Sequence, residues 1–267
     1  MAPPVITNHS LYRYAGGKNR MKKDIIKVIR EVIPEIKSIL SPFLGGGSIE
    51  MLMASQGVKV KAFDVYQPLA DFWEVLTSEG GQRLADEVQK HLPLIDSEHY
   101  KSFLPLLEDE DKFTRAWSFY IAIKGSYSGK IGCSTERSRA EFRQAGIDKL
   151  RAFNNPNFSF SRGDCFEVIP DNSDDFLYLD PPYYETVSHY YGMDGKVHKS
   201  FNHEEFCDIL KCHKGGFVMS YDNSESVRRL YEGWTEFQYL TFPYQMSGKK
   251  RFDKVELLIV KRPEVVK

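Results

Sequence analysis

Apolar positions along the chain change period several times, and the changes outline an α/β scaffold with one interruption. KSILSPF at 37–43 predicts a first strand, and GGGSIEMLMASQG at 45–57 follows as a glycine turn and a helix with apolar residues at helical spacing. VKVKAFD at 58–64 alternates as a second strand, and PLADFWEVLTS at 68–78 predicts the next helix. From about 79 to 155 the strand–helix rhythm stops. GGQRLADEVQKHLPLI and KFTRAWSFYIAIKG predict helices there, and SYSGKIGCS after them reads as a loop. The rhythm resumes with strands at 157–164, 174–180, 215–222, 235–244 and 254–260, and with helices near 203–213 and 224–232. Residues 1–78 and 156–267 are thus expected to form one α/β body, with 79–155 as a mainly helical insertion.

Composition adds limits. The chain has 267 residues, enough for a full core, and its 42% hydrophobic and 27% charged content is that of a soluble globular protein. No apolar run approaches the roughly 20 residues that span a bilayer, and MAPPVITNHSLYRY lacks the basic-then-apolar pattern of a signal peptide, so a cytoplasmic setting is expected. Cys133, Cys165, Cys207 and Cys212 form no CxxC pair, which fits reduced thiols better than a zinc site or a disulfide framework. His189, His198 and His203 read as solvated side chains, not ligands, and no metal is expected.

The net charge of −1 conceals a strong asymmetry. Lys112 to Arg151 carries nine basic and three acidic residues, a local +6, and KKRFDK at 249–254 adds a second basic cluster. Concentrated positive charge suits a polyanion, whose released counterions supply sequence-independent affinity; a solvated helical face is the plain alternative.

Five stretches carry candidate chemistry. SPFLGGGSIE at 41–50 follows a predicted strand, and its glycines allow a tight turn and close backbone approach to a ligand. Its spacing is neither the dinucleotide fingerprint nor a P-loop, which leaves a nucleoside such as the adenosine of S-adenosylmethionine, or a plain strand-to-helix turn. Asp64, at the tip of the next strand, is placed to accept from ribose hydroxyls. YRYAGGKNR at 12–20 supplies a turn with Lys18 and Arg20 to meet a carboxylate or phosphate, or is simply a basic loop. RGDCFEVI at 162–169 offers Phe166 to cover an adenine ring, with Asp164 or the local backbone to read its amino group, or is a strand end with a phenylalanine packed in the core.

The fifth stretch, DFLYLDPPYYE at 175–185, is the most specific. An apolar strand ends on Asp180, and the following prolines hold the chain in a rigid extended turn. An exocyclic base amine is a poor nucleophile because its lone pair is delocalised into the ring. Acceptors at its protons, the Asp180 carboxylate and the Pro181 carbonyl, return electron density to nitrogen if Pro181 and Pro182 keep them side by side, while Tyr183 stacks on a base that has left the duplex.

Taken in order, YAGGKNR, PFLGGGSIE, Asp64, GDCF, DPPY, SYDNSESVRRLY and VELLIV resemble the Dam-type (alpha-group) adenine-N6 DNA methyltransferases over almost the whole chain. The resemblance implies a Rossmann-like S-adenosylmethionine-dependent methyltransferase fold with a DNA-recognition insertion. It places Tyr12, Lys18, Phe43, Gly45, Gly47, Asp64, Asp164, Phe166 and Asp180 at the cofactor, with Lys18 near the methionine carboxylate. It assigns Asp180, Pro181, Pro182 and Tyr183 to the target base. Residues near Tyr127 to Gly129 and the basic run, namely Lys124, Tyr127, Ser128, Lys130, Arg137, Arg139 and Arg143, become the expected DNA contacts. Members often carry an Asn-Arg-rich stretch where this chain reads AIKGSYSGKIG, so no target sequence is carried over. Double-stranded DNA is the expected partner, with a restriction endonuclease acting on the same site as a candidate second partner and a monomer or weak dimer as the expected state. The alternatives are cytosine-N4 methylation, for which Ser is usual before Pro-Pro-Tyr, an RNA methyltransferase, for which Asn is more usual, and a catalytically silent DNA binder.

Overall fold

The computed structural model describes residues 6–184, 201–244 and 252–264. His189 and His198 lie outside them, as does part of the basic cluster at 249–254. Among the described residues the main sheet has seven strands: β1 (Ser38–Ser41), β2 (Lys59–Asp64), β5 (Phe158–Arg162), β6 (Leu177–Leu179), β7 (Phe217–Asp222), β8 (Glu236–Tyr244) and β9 (Phe252–Lys261). Their order is β5-β2-β1-β6-β7-β9-β8. The first five in this order run parallel, and β9 enters antiparallel to both β7 and β8.

The chain builds outward from β1 in both directions, so the order reverses between β1 and β6. That reversal opens a crevice at the carboxyl ends of the strands, which is where open α/β sheets bind ligands. The central strands are short and buried, as strands covered on both faces must be: Leu40, Leu177 and Leu179 are all 0% exposed.

Helices cover the sheet. α1 (Lys22–Val32) presents Ile25, Ile26, Val28 and Ile29 to the core at helical spacing, a helix the strand-to-strand reading passed over. α2 (Ser48–Ser55) starts from Gly47 in the left-handed region (φ 63°), so the glycine turn ends where the helix begins. α3 (Gln67–Glu79) has Pro68 in its first turn, where a missing N–H costs nothing, and it stops at Gly80. α9 (Cys165–Asp171), α10 (His203–Cys212) and α11 (Glu225–Tyr231) pack on the other half. The α/β class and most predicted elements are borne out within a few residues.

Between α3 and β5 lie α4 (Gly81–Gln89), α5 (Ser97–Lys101), a 3-10 turn (Pro105–Glu108), α6 (Lys112–Lys124), α7 (Glu136–Ala140) and α8 (Gln144–Arg151). SYSGKIGCS is not the loop expected. It pairs as an antiparallel hairpin of β3 (Ser126–Tyr127) and β4 (Lys130–Ser134), turning at Ser128 (φ 56°) and Gly129 (φ 77°). Two successive left-handed residues are the signature of a tight hairpin turn, and its small residues hid the two short strands from any alternation count. No helix among the described residues is long and apolar enough to cross a membrane.

Candidate functional site

Three strand tips meet at the crevice, each carrying an acid or a glycine turn. After β1 the chain turns through Gly45 (φ 49°) and Gly47 (φ 63°). A Cβ on Gly45 would lie 2.9 Å from the Tyr14 ring, so no larger residue fits between the turn and the N-terminal loop. Asp64, at the tip of β2, accepts from the Gly45 N–H at 2.9 Å and from the Tyr66 N–H at 3.1 Å. Burial pushes its carboxyl up to about 6, partly offset by those two donors. Each oxygen keeps lone-pair capacity for a further donor.

A cavity of about 400 Å³ lies in front of this turn. Phe43, Phe166 and Phe201 form one apolar wall, with Phe201 5.5 Å from Phe166 and 5.9 Å from Phe43 between ring centroids. Gly45, Gly47, Asp64, Asp164 and Lys18 also line it. The Asp164 side chain caps α9 by accepting from the Phe166 N–H, which fixes the phenylalanine at the wall.

Tyr12 stands behind this cavity. Its ring is buried, its hydroxyl donates to the Gly45 carbonyl at 3.0 Å, and Trp73 Nε1 donates to that hydroxyl at 2.8 Å. Tyr14, two residues on, faces the cavity instead. Tyr12 therefore braces the glycine turn from the core side.

The tip of β6 brings Asp180 to the opposite lip. Lys18 Nζ donates to Asp180 Oδ1 at 2.5 Å and lies 3.6 Å from Glu256 of β9; Lys18 and Glu256 are 3% and 1% exposed, Asp180 22%. The Tyr183 hydroxyl donates to Glu256, and its ring stacks on Tyr221 with centroids 6.2 Å apart. Lys18 also sits 5.0 Å from the centre of the Tyr183 ring. The Tyr184 N–H donates to Asp222 at 2.9 Å, pinning the chain just after the motif. Lys18, expected at a cofactor carboxylate, thus lines the cavity while bridging two acids.

Two further buried groups border the cavity. Glu50 accepts from Ser41 Oγ at 2.7 Å, and burial, helped by the charge of Asp180, raises its carboxyl to about 7. Tyr178 lines the cavity with a buried hydroxyl that has no hydrogen-bond partner among the described residues.

The expected DNA contacts fall on one region. Tyr127 and Ser128 are exposed at the hairpin turn, and Gly129 is packed so tightly that a Cβ would come within 2.7 Å of the Arg13 carbonyl and 2.9 Å of the Ala15 nitrogen. The hairpin tip is thereby fixed against the loop that lines the cavity. Arg137 and Arg143 are exposed and Arg139 half-buried, on and just after α7, which Ser138 ties to the Gly125 carbonyl at 2.8 Å. Lys130 is half-buried in β4. Lys124 is half-buried at the end of α6, where burial lowers its ammonium despite the nearby Glu141.

Glycine turn, strand-tip acids and the Asp-Pro-Pro-Tyr corner therefore converge on one cavity. Residues 14–247 match the model of the D12 class N6 adenine-specific DNA methyltransferases. The chain belongs to this family. The match is to the D12 class and does not single out the Dam-type subgroup. No curated relative matches the chain in sequence. Among solved structures it is similar to a SAM-dependent methyltransferase from Agrobacterium tumefaciens, at 10% identity and a TM-score of 0.42, covering 92% of this chain and 62% of that one. It is also similar to a precorrin-6y C5,15-methyltransferase from Geobacter metallireducens, at 9% identity and a TM-score of 0.35, covering 90% and 86%. The chain thus spans less than two thirds of the first of these structures, and neither likeness bears on residue roles.

For a D12-class enzyme the methyl donor is S-adenosylmethionine, and the cavity fits it. Gly45 and Gly47, both at positive φ, shape the turn that lines the cavity, Asp64 keeps acceptor capacity for hydroxyls, and the Tyr178 hydroxyl, buried with no partner among the described residues, offers a contact to a polar ligand. Sequence reasoning missed Tyr14, Glu50, Tyr178, Phe201 and Glu256. Tyr178 was accessible, since residues two apart on a strand share a face with Asp180. Glu256 was accessible as the acid inside an apolar strand.

Proposed function

We propose that this D12-class enzyme methylates N6 of adenine in double-stranded DNA, on a base turned out of the duplex, with Asp180 and the Pro181 carbonyl holding the amino group. One observation carries the reading: Asp180 stands at the lip of the same cavity whose far walls are the glycine turn and Asp64. Bound S-adenosylmethionine supplies an electrophilic methyl group on sulfur.

The chain's residues do the rest. Phe43, Phe166 and Phe201 offer an apolar wall to the cofactor's adenine, Asp64 accepts from its ribose hydroxyls, and Asp164 reads its base edge. Gly45 and Gly47 let the backbone come close, with Tyr12 bracing the turn. Asp180, set at the tip of β6 by the two prolines, accepts from one amino proton while the Pro181 carbonyl accepts from the other. The nitrogen lone pair is then directed at the methyl group. Tyr183 supplies the aromatic surface for the flipped base. A proton leaves the amine after it has become cationic, so Asp180 needs no unusual basicity.

Residues 79–155 act as the target-recognition segment in this reading. Support comes from the hairpin tip, whose packing against Arg13 and Ala15 sets Tyr127, Ser128 and Lys130 beside the cavity, and from Arg137, Arg139 and Arg143 nearby. Phosphate contacts from the arginines position the duplex, and the hairpin approaches the bases. A restriction endonuclease cutting the same unmethylated site is the partner class such an enzyme pairs with.

The test is direct. The protein is incubated with S-adenosylmethionine and mixed-sequence duplex DNA, which is digested to nucleosides and analysed by mass spectrometry. 6-Methyladenine is expected. 4-Methylcytosine would overturn the substrate, and no methylated base alongside detectable cofactor binding would overturn the reaction.

A further inference from the structure

Glu256 on β9 does not line the cavity but touches Lys18 and Tyr183, which stand beside it. Leu257, Leu258, Ile259 and Val260 that follow it are all buried, and Glu256 itself is 1% exposed in a strand with neighbours on both sides. Burying a carboxylate among apolar residues is costly unless its charge and lone pairs are matched. Here they are. Lys18 lies 3.6 Å away, Ser220 Oγ donates to Glu256 Oε1 at 3.2 Å, and the Tyr183 hydroxyl donates to the same oxygen.

The register shows what the arrangement achieves. Glu256 stands opposite Asp222 in the β7–β9 pairing. Asp222 accepts from the Tyr184 backbone, while Glu256 accepts from the Tyr183 side chain. A single rung of the sheet therefore holds two consecutive residues after the prolines. Pro181 and Pro182 fix the backbone of the corner, but they leave the Tyr183 side-chain torsions free. Its ring is fixed by contacts alone: Tyr221 stacked beside it, Lys18 near its centre, and Glu256 at its hydroxyl.

We propose that Glu256 is a positioning residue of the transfer site, holding the Tyr183 ring through its hydroxyl so that a flipped base meets a preset aromatic surface next to Asp180. The proposal rests on the adenine-methylation reading. It acts through Tyr183 and predicts a pattern that loss of a merely structural acid would not give.

The experiment compares wild type, Glu256→Ala, Glu256→Gln, Tyr183→Phe and the Glu256→Ala/Tyr183→Phe double variant. Steady-state kcat, KM for duplex DNA, the dissociation constant for S-adenosylmethionine and Tm are measured for each. Removing the tether lowers kcat by about 100-fold, the scale of a misplaced reacting group, with cofactor affinity unchanged. Tyr183→Phe shows the same loss, because it removes the other end of the same bond. The double variant is no worse than either single, as expected of two residues acting as one unit. Glu256→Gln, which keeps an acceptor for the hydroxyl, recovers most of the activity lost in Glu256→Ala. Full activity in Tyr183→Phe overturns the proposal, and it does so even if Glu256→Ala fails to fold. Additive losses in the double variant, or Glu256→Gln as impaired as Glu256→Ala, also overturn it. Absence of 6-methyladenine from the wild type would instead overturn the reaction itself.

Discussion

Glu50 and Tyr178 show how polar groups at the cavity prepare it for a ligand, and each makes a measurable prediction. Burial raises the Glu50 carboxyl from 4.5 to about 7, so the folded protein holds that proton to a higher pH than the unfolded chain does. Its contribution to stability is complete below about pH 4.5 and is lost as pH rises through about 7. Glu50→Gln keeps an acceptor for Ser41 and removes the charge, so its Tm is expected to exceed wild type by several degrees at pH 8 and to match it near pH 4. Equal Tm differences at both pH values would show that the titration does not matter. Tyr178→Phe removes a hydroxyl that has no partner among the described residues, so stability is expected to hold while affinity for S-adenosylmethionine falls by about tenfold, the weight of one good hydrogen bond. Unchanged affinity by calorimetry would remove Tyr178 from the ligand contacts. Asp180→Ala is expected to abolish turnover and leave cofactor binding largely intact, and full activity in that variant would sink its assigned role. Much of this site was legible in sequence because strand-tip acids and glycine turns advertise themselves locally. Phe201 and the link from Lys18 to Asp180 were not, since they join residues far apart in the chain through tertiary packing alone.

At the scale of elements, periodicity worked where a strand or helix has one dominant environment. β2 alternates and α3 has a proline in its first turn, so both were read within a residue or two. The hairpin of β3 and β4 failed that reading because its strands are short and its turn is built from Ser128 and Gly129, which carry no apolar signal. That hairpin and the adjoining α7 form the element proposed to meet DNA. Changing Arg137, Arg139 and Arg143 together to Gln is expected to weaken duplex binding and to flatten the dependence of log affinity on log salt, by up to about 0.9 for each phosphate that is no longer neutralised. Titrations at several salt concentrations provide the slope. An unchanged slope would move the DNA surface elsewhere, with the cluster at 249–254 the next basic region to test.

The whole molecule is less divided than its sequence suggests. The rhythm breaks at 79 and resumes near 156, yet one continuous apolar cluster joins the two parts. It contains Val60 of β2 and Phe72 of α3 together with Leu84 of α4, Phe119 of α6 and Leu150 of α8. Phe72 stacks on Tyr120 with centroids 5.6 Å apart, and Arg115 pairs with the buried Asp71 at 2.6 Å, so both apolar and charged contacts cross the boundary. The segment proposed to recognise DNA is thus a wall of the same core, and its hairpin is anchored to the body that holds the cavity. Gly81 tests this. It opens α4 against α8, and a Cβ there would fall 1.7 Å from the Leu150 carbonyl oxygen, a backbone atom that cannot turn aside. Gly81→Ala must push α4 and α8 apart, at a cost of about 1–3 kcal/mol as for other overpacked positions. With a shared core, calorimetry is expected to show one unfolding transition, lowered as a whole in the variant. Two transitions, with only one of them lowered, would mean that the segment is an autonomous domain and that the hairpin's placement beside the cavity depends on a hinge.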